Sequence, residues 1–188
     1  MKLIFVTSNV EKLKEAKLAL VPYGFEIEGI DFSFKEPYEG SMEDIAKFKL
    51  SQIEDNLNFP YFVDDSGIFF KAYGSFPGIL TKRIYKLIGY KGIGKLLNNE
   101  CREAYFHGVI AIKWKDQIKV FHGETQGIIT NDIPRDLPND LQFPFDPIFI
   151  PEGSNTVLAE MPVEMRLEYS YRRKALGAMG KWMEKRIY

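Results

Sequence analysis

Residues 3–6 are four consecutive apolar residues with no polar position among them. A β-prone run of this kind reads as a strand covered on both faces, and Thr7-Ser8-Asn9 just after it supplies helix-capping side chains. Leu13, Ala16 and Leu20 then recur at helical spacing until Pro22-Tyr23-Gly24 stops the helix. A second strand is expected around residues 25–30. Ser41-Met42-Glu43-Asp44 has the spacing of a capping box, ahead of a helix that would turn Ile45, Phe48 and Ile53 inward. Residues 61–63 form a further strand, expected to end in a turn at Asp64-Asp65-Ser66-Gly67, with Ile68-Phe69-Phe70 continuing beyond it.

Gly74-Ser75-Phe76-Pro77-Gly78 is a turn cluster, followed by helical patterns around residues 82–88 and 93–97. Residues 104–114 and 118–127 read as two long antiparallel strands joined at Lys115-Asp116-Gln117. Residues 131–147 hold Pro134, Pro138, Pro144 and Pro147, and are expected to be irregular; such stretches inside a compact domain are more often functional than idle. A closing helix would place Leu176, Met179, Met183 and Ile187 on one face. Strands alternating with helices, with a hairpin inserted, predict an α/β fold around a mixed sheet.

Composition narrows the chemistry. The chain has 188 residues, enough for one domain or one compact two-lobed unit, and should bury roughly 70% of its unfolded surface without staples. One cysteine (Cys101) and two histidines (His107, His122) exclude a disulfide framework and a Cys/His zinc site. Short apolar runs predict no membrane span, and the N-terminal segment is too short and wrongly flanked for a signal peptide. Twenty-five basic against 26 acidic residues give a net charge of −1, which argues against a nucleic-acid partner. A reduced, cytoplasmic protein is expected.

Five segments can carry chemistry. At a strand end followed by a helix N-terminus, Thr7-Ser8-Asn9 offers amides to an anion, and Lys12 on the first turn can reach a phosphate held there. Asp64 and Asp65 repel as neighbours and, in extended backbone, point to opposite faces; one can orient water or ligate Mg²⁺ while the other anchors the chain. Glu36 and Glu39 offer further hard oxygen donors. Phe143-Pro144-Phe145-Asp146-Pro147 puts two aromatic rings beside a carboxylate, suited either to stacking on a base or to plugging the core. Arg166 and Ser170-Tyr171-Arg172-Arg173-Lys174 place basic groups before the last helix, against its dipole. Gly92-Ile93-Gly94-Lys95 lacks the spacing of a phosphate-binding loop.

Taken in order, Thr7-Ser8-Asn9-x-x-Lys12, Asp64-Asp65-Ser66-Gly67, Phe76-Pro77-Gly78, Phe145-Asp146-Pro147-Ile148-Phe149, Ala159-Glu160-Met161 and Ser170-Tyr171-Arg172-x-Lys174-Ala175 form a series spanning nearly the whole chain. The series resembles the Ham1/ITPase family of noncanonical purine nucleoside triphosphate pyrophosphatases. The resemblance implies an elongated mixed sheet with helices, two lobes flanking a central cleft in a single domain over residues 1–188, with a hairpin lobe at about 104–130. It further implies a homodimer and Mg²⁺-dependent cleavage of ITP, XTP and dITP to the monophosphate and pyrophosphate.

By position, the resemblance gives the triphosphate to Ser8, Asn9 and Lys12, with Thr7 and Ser66 inside the same motifs. Asp65 becomes the carboxylate that positions or deprotonates the attacking water and shares the metal with Glu36, Glu39 being the alternative. Lys49 and Lys82 match phosphate-facing lysines. Phe143 and Phe145 would line the base pocket, Asp146 its base or sugar end, and Arg166 and Arg172 would reach phosphate and the purine O6 side. Three departures stand out: Tyr171 where the family has histidine, Arg166 where lysine is usual, and Pro144 where glycine is usual. A Maf-type nucleotide pyrophosphatase and a non-catalytic nucleotide-binding module are the alternative readings.

Overall fold

The computed structural model describes residues 1–54, 58–134 and 143–187, with the side chain of Ile187 excepted. Pro138 and Tyr188 therefore lie outside the described residues, as does the Ile187 side chain expected to face inward. Six strands form one mixed sheet: β1 (Lys2–Val6), β2 (Glu26–Ile30), β3 (Tyr61–Phe70), β4 (Glu103–Trp114), β5 (Gln117–Ile129) and β6 (Phe149–Pro151), in the order β2-β1-β3-β4-β5-β6. β1 runs parallel to β2 and β3, and β5 antiparallel to β6. Among the described residues there are five α-helices: α1 (Val10–Leu20), α2 (Met42–Ser51), α3 (Thr81–Leu96), α4 (Val163–Glu168) and α5 (Tyr171–Ile187).

The contacts divide the chain into two compact units. The first comprises Met1–Asp65, Gly108–Gly123 and Tyr171–Tyr188. Its core joins Leu3 and Phe5 of β1, Phe62 of β3 and Ile110 and Ile112 of β4 to Ala16 and Leu20 of α1 and Leu176, Met179 and Met183 of α5. Leu3 to Val6 are at most 3% exposed, as an unbroken apolar run requires. The α5 helix seats tightly because Gly123 has no side chain: a Cβ there would stand 2.0 Å from the Tyr171 carbonyl oxygen. The second unit comprises Ser66–His107 and Glu124–Ser170. It is built around aromatic rings, with Phe145 edge-on to Phe70 and Tyr85, and Phe106 edge-on to Phe149.

Local signals read correctly where they depend on neighbours in sequence. Asn9 caps α1 by accepting from the Glu11 and Lys12 amides, and Ser41 and Asp44 form the expected capping box. The two helical patterns after residue 81 belong to α3, broken at Gly89 (φ 55°, ψ −169°). The expected hairpin is present, with Lys115 at its turn (φ 55°).

Three expectations are corrected. Residues 64–67 are not a turn: β3 runs unbroken through them. Their carboxylates are held by partners distant in sequence, and Gly67 serves close packing, since a Cβ there would lie 2.2 Å from the Gly78 carbonyl oxygen. Phe48 does not face inward. It is 43% exposed, and the buried face of α2 is Met42, Ile45, Ala46, Lys49 and Leu50. Lys49, one turn beyond Ile45, takes the inward place because carboxylates wait there. Finally, Tyr171 and Arg172 do not precede the last helix but begin it.

Candidate active site

Parallel pairing of Ile4 with Tyr61 and Phe5 with Phe62 brings the carboxyl end of β1 beside Asp64 and Asp65 of β3. Open α/β sheets place ligands at such strand ends. Within the first unit this end gathers Thr7, Ser8, Asn9 and Lys12 of the β1–α1 connection, Lys49 of α2, Glu36 and the start of α5. Ser8 is exposed, while Thr7 and Asn9 are half-buried, with the Asn9 amide donating to Thr7 Oγ1. The first-turn amides of Glu11 and Lys12 already donate to Asn9 Oδ1, both at 3.0 Å. An anion could use those two amides only if the Asn9 side chain turned away from them.

Asp64 and Asp65 point to opposite faces of β3, as alternation along a strand dictates. Asp64 accepts from Lys12 Nζ at 3.0 Å and from Arg172 Nε at 2.9 Å. Arg172, 3% exposed, also donates to Glu15 Oε2 at 2.6 Å and to the Tyr171 hydroxyl at 3.2 Å. Burial would oppose the Asp64 charge, but Lys12 and Arg172 outweigh it and hold the carboxyl well below its ordinary value. Burial also lowers the Lys12 ammonium from its usual value, against the pull of Asp64.

On the other face, Asp65 Oδ1 accepts from Lys49 Nζ at 2.8 Å, and Glu36 Oε1 lies 2.9 Å from the same nitrogen. Burial pushes the Asp65 carboxyl above its ordinary value despite Lys49. For Lys49 burial works the other way, yet Asp65 and Glu36 prevail and the ammonium is held above its usual value. Two hard oxygen donors therefore converge on one cation, which suits Mg²⁺, an ion that takes one or two carboxylates and completes its shell with water and phosphate. Among the described residues, no three His, Cys, Asp or Glu side chains form a self-sufficient metal cage. The donor set fits an ion shared with a phosphate ligand.

The second unit holds the other expected residues. Ser66 is half-buried on β3, Lys82 is exposed on the first turn of α3, and Arg166 is half-buried on α4. Phe143 and Asp146 are half-buried, whereas Phe145 is 1% exposed beneath the rings of Phe70 and Tyr85. Phe145 is thus a core residue of its unit that supports the loop. Tyr90 donates its hydroxyl to the Pro144 carbonyl at 2.6 Å, and the Ala159 amide donates to the Asp146 carbonyl at 3.1 Å, tying the loop at two points. Sequence reasoning missed Glu15 and Tyr90. Glu15 lies three residues beyond Lys12 on the same helical face, a spacing that could have drawn attention to it; Tyr90 carried no local signal.

The Ham1 family profile matches residues 3–182 of this chain. The chain belongs to the Ham1 family. A dITP/XTP pyrophosphatase of Thermococcus kodakarensis is 38% identical over 188 residues, all of both chains. One from Pyrococcus horikoshii is 36% identical over 98% of this chain and 97% of its own. Among solved structures, the Ham1 protein of Staphylococcus aureus superposes with a TM-score of 0.80 at 24% identity, over 99% of this chain and all of that one. The α/β fold around a mixed sheet is therefore that of the Ham1 proteins.

Proposed function

We propose that this chain hydrolyses noncanonical purine nucleoside triphosphates, dITP, XTP and ITP, to the monophosphate and pyrophosphate. The observation that carries the reading is the pair of acid–base clusters on opposite faces of β3 at a ligand-binding strand end, in a Ham1 chain whose full-length relatives are named dITP/XTP pyrophosphatases.

Displacement at phosphorus is mainly positioning and charge neutralisation. Asp65 orients the attacking water and takes its proton as the oxygen bonds to the α-phosphorus; pyrophosphate leaves from the opposite side. A carboxyl raised by burial is a better base near neutrality than an ordinary one. Lys12 and Lys49 supply cationic charge to the polyphosphate, with Thr7, Ser8, Asn9, Ser66 and Lys82 as further contacts. Arg172, oriented by Asp64 and Glu15, reaches the nucleotide together with Tyr171 and Arg166. Glu36 and Asp65 would hold the divalent ion, proposed to be Mg²⁺, whose charge offsets that of the phosphate oxygens. Phe143 and Asp146, on the loop that the buried Phe145 anchors, take the base side. The working form is proposed to be a cytoplasmic homodimer of one two-lobed domain; no described helix is long and apolar enough to cross a membrane.

Pyrophosphate release from dITP, XTP, ITP, ATP and dUTP, with Mg²⁺ and with a chelator, tests the reading. Hypoxanthine and xanthine nucleotides should exceed ATP in kcat/KM by about tenfold or more, since each lost buried hydrogen bond is worth roughly 1–3 kcal/mol. Chelation should abolish turnover. Equal use of ATP would remove the base preference, preferred use of dUTP would favour a Maf-type enzyme, and no release from any triphosphate would end the hydrolase reading.

A further inference from the structure

Lys49 is only 5% exposed, yet it is not simply a core residue with a satisfied charge. Its stem enters from the last turn of α2, its ammonium passes 5.9 Å from the centre of the Phe34 ring, and it stops where Asp65 and Glu36 present their oxygens. Glu36 is 54% exposed at its side chain while Asp65 is 16% exposed, so the Glu36 carboxylate is the solvent-facing member of the pair. A divalent ion coordinated by the same two oxygens would sit about 2.0–2.1 Å from each. Lys49 Nζ cannot keep its present bonds in that case, because like charges would be in contact in a poorly solvated place.

We infer that Lys49 is a displaceable stand-in for the divalent ion, closing the Glu36–Asp65 pair in the metal-free protein and leaving it when the ion arrives. The inference rests on the reading of Glu36 and Asp65 as the metal-side carboxylates. At rest the ammonium supplies a counter-charge to the two facing carboxylates. The same contact weakens ion binding, because every ion must first expel a well-held cation. Once expelled, the ammonium swings on four methylenes and is released beside the polyphosphate that shares the ion. Arrival of the metal and appearance of a phosphate-binding cation thus become one event.

The test measures Mn²⁺ alone, without nucleotide, by calorimetry and electron paramagnetic resonance. Lys49→Met should bind Mn²⁺ about tenfold more tightly than wild type or better, because a competing like charge is gone. The gain should vanish in the Glu36→Gln/Lys49→Met double variant relative to Glu36→Gln. Lys12→Met, which leaves the Lys49 bridge in place, should change the affinity by less than about threefold, since a more distant charge is better screened. Unchanged or weaker Mn²⁺ binding by Lys49→Met would overturn the inference. If that variant does not fold, the wild-type Lys49 ammonium resonance followed by NMR during a Mg²⁺ titration decides instead: it should move in step with ion binding, and a stationary signal while Mg²⁺ binds would overturn the idea. Pyrophosphate release by the wild type keeps the two readings apart. Turnover without a Mn²⁺ gain in Lys49→Met sinks only the exchange, and the gain without turnover sinks only the hydrolase.

Discussion

The two faces of β3 hold neighbouring carboxylates in opposite circumstances. On the Asp64 face, two carboxylates meet two cations: Asp64 and Glu15 against Lys12 and Arg172, all largely buried. On the Asp65 face, Asp65 and Glu36 both reach the Lys49 ammonium, and Glu36 is more than half exposed at its side chain. Lys12 and Arg172 lower Asp64 against its burial, whereas burial leaves Asp65 raised despite Lys49. A buried ion-pair network holds a structure, whereas an exposed carboxylate beside one raised by burial suits the binding of a further cation and a proton. On the proposed reading, adjacent residues on one strand divide scaffold from chemistry.

The largest effect should come from breaking the Asp64 side. Asp64→Asn leaves Lys12 and Arg172 without their shared anion and should destabilise the fold by about 3–5 kcal/mol in chemical denaturation. Should the loss be under ~1 kcal/mol, the cluster would not be the scaffold proposed. Glu15→Gln removes one of the two carboxylates that Arg172 pairs with here, so a smaller cost of about 1.5–3 kcal/mol is expected by the same measurement.

Acid titration sharpens the contrast through its sign. The folded Asp64 value lies below its unfolded value near 3.8, so its contribution is complete above that pH and is lost as pH falls toward the folded value. Asp65 has the reverse shift: its ionisation costs stability, and the cost sets in as pH rises from about 3.8 through its folded value. Stability measured from pH 6 down to pH 2 should therefore fall less steeply in Asp64→Asn than in the wild type, and more steeply in Asp65→Asn. The same slope in all three proteins would remove the distinction. Smallest of all, Tyr171→Phe deletes one hydrogen bond from Arg172 and should cost about 0.5–1.5 kcal/mol, read from the denaturation midpoint.

How legible this division was depends on where the deciding partners lie in the chain. β1, the Asn9 cap and the Ser41–Asp44 box were readable because donor, acceptor and burial are fixed within a few residues. Asp64-Asp65-Ser66-Gly67 imitates a turn locally, but Lys12, Lys49 and Arg172, 16 to 108 residues from the carboxylates they hold, belong to a straight strand's surroundings. A buried lysine at position 49 defeats hydrophobic periodicity, which assigns the inward place to Phe48 instead. β6 and α4 are too short to have a period, and they depend on β5 and on local turns for definition. Among the site residues, Lys12, Lys49, Asp64, Asp65, Glu36 and Arg172 were named from motif and resemblance, and the first unit brings them together; the pairing of Arg172 with Glu15 joins residues 157 apart in the chain and is set by the fold.

The most direct measurement is single-turnover pyrophosphate release from dITP by Asp65→Asn, with its thermal midpoint recorded alongside. Loss of a positioned base should lower the rate by about 10²–10⁴, while the midpoint stays within a few degrees because Lys49 keeps Glu36 as a partner. A rate near that of the wild type in a folded Asp65→Asn protein would contradict the assignment of the chemistry to this face of β3.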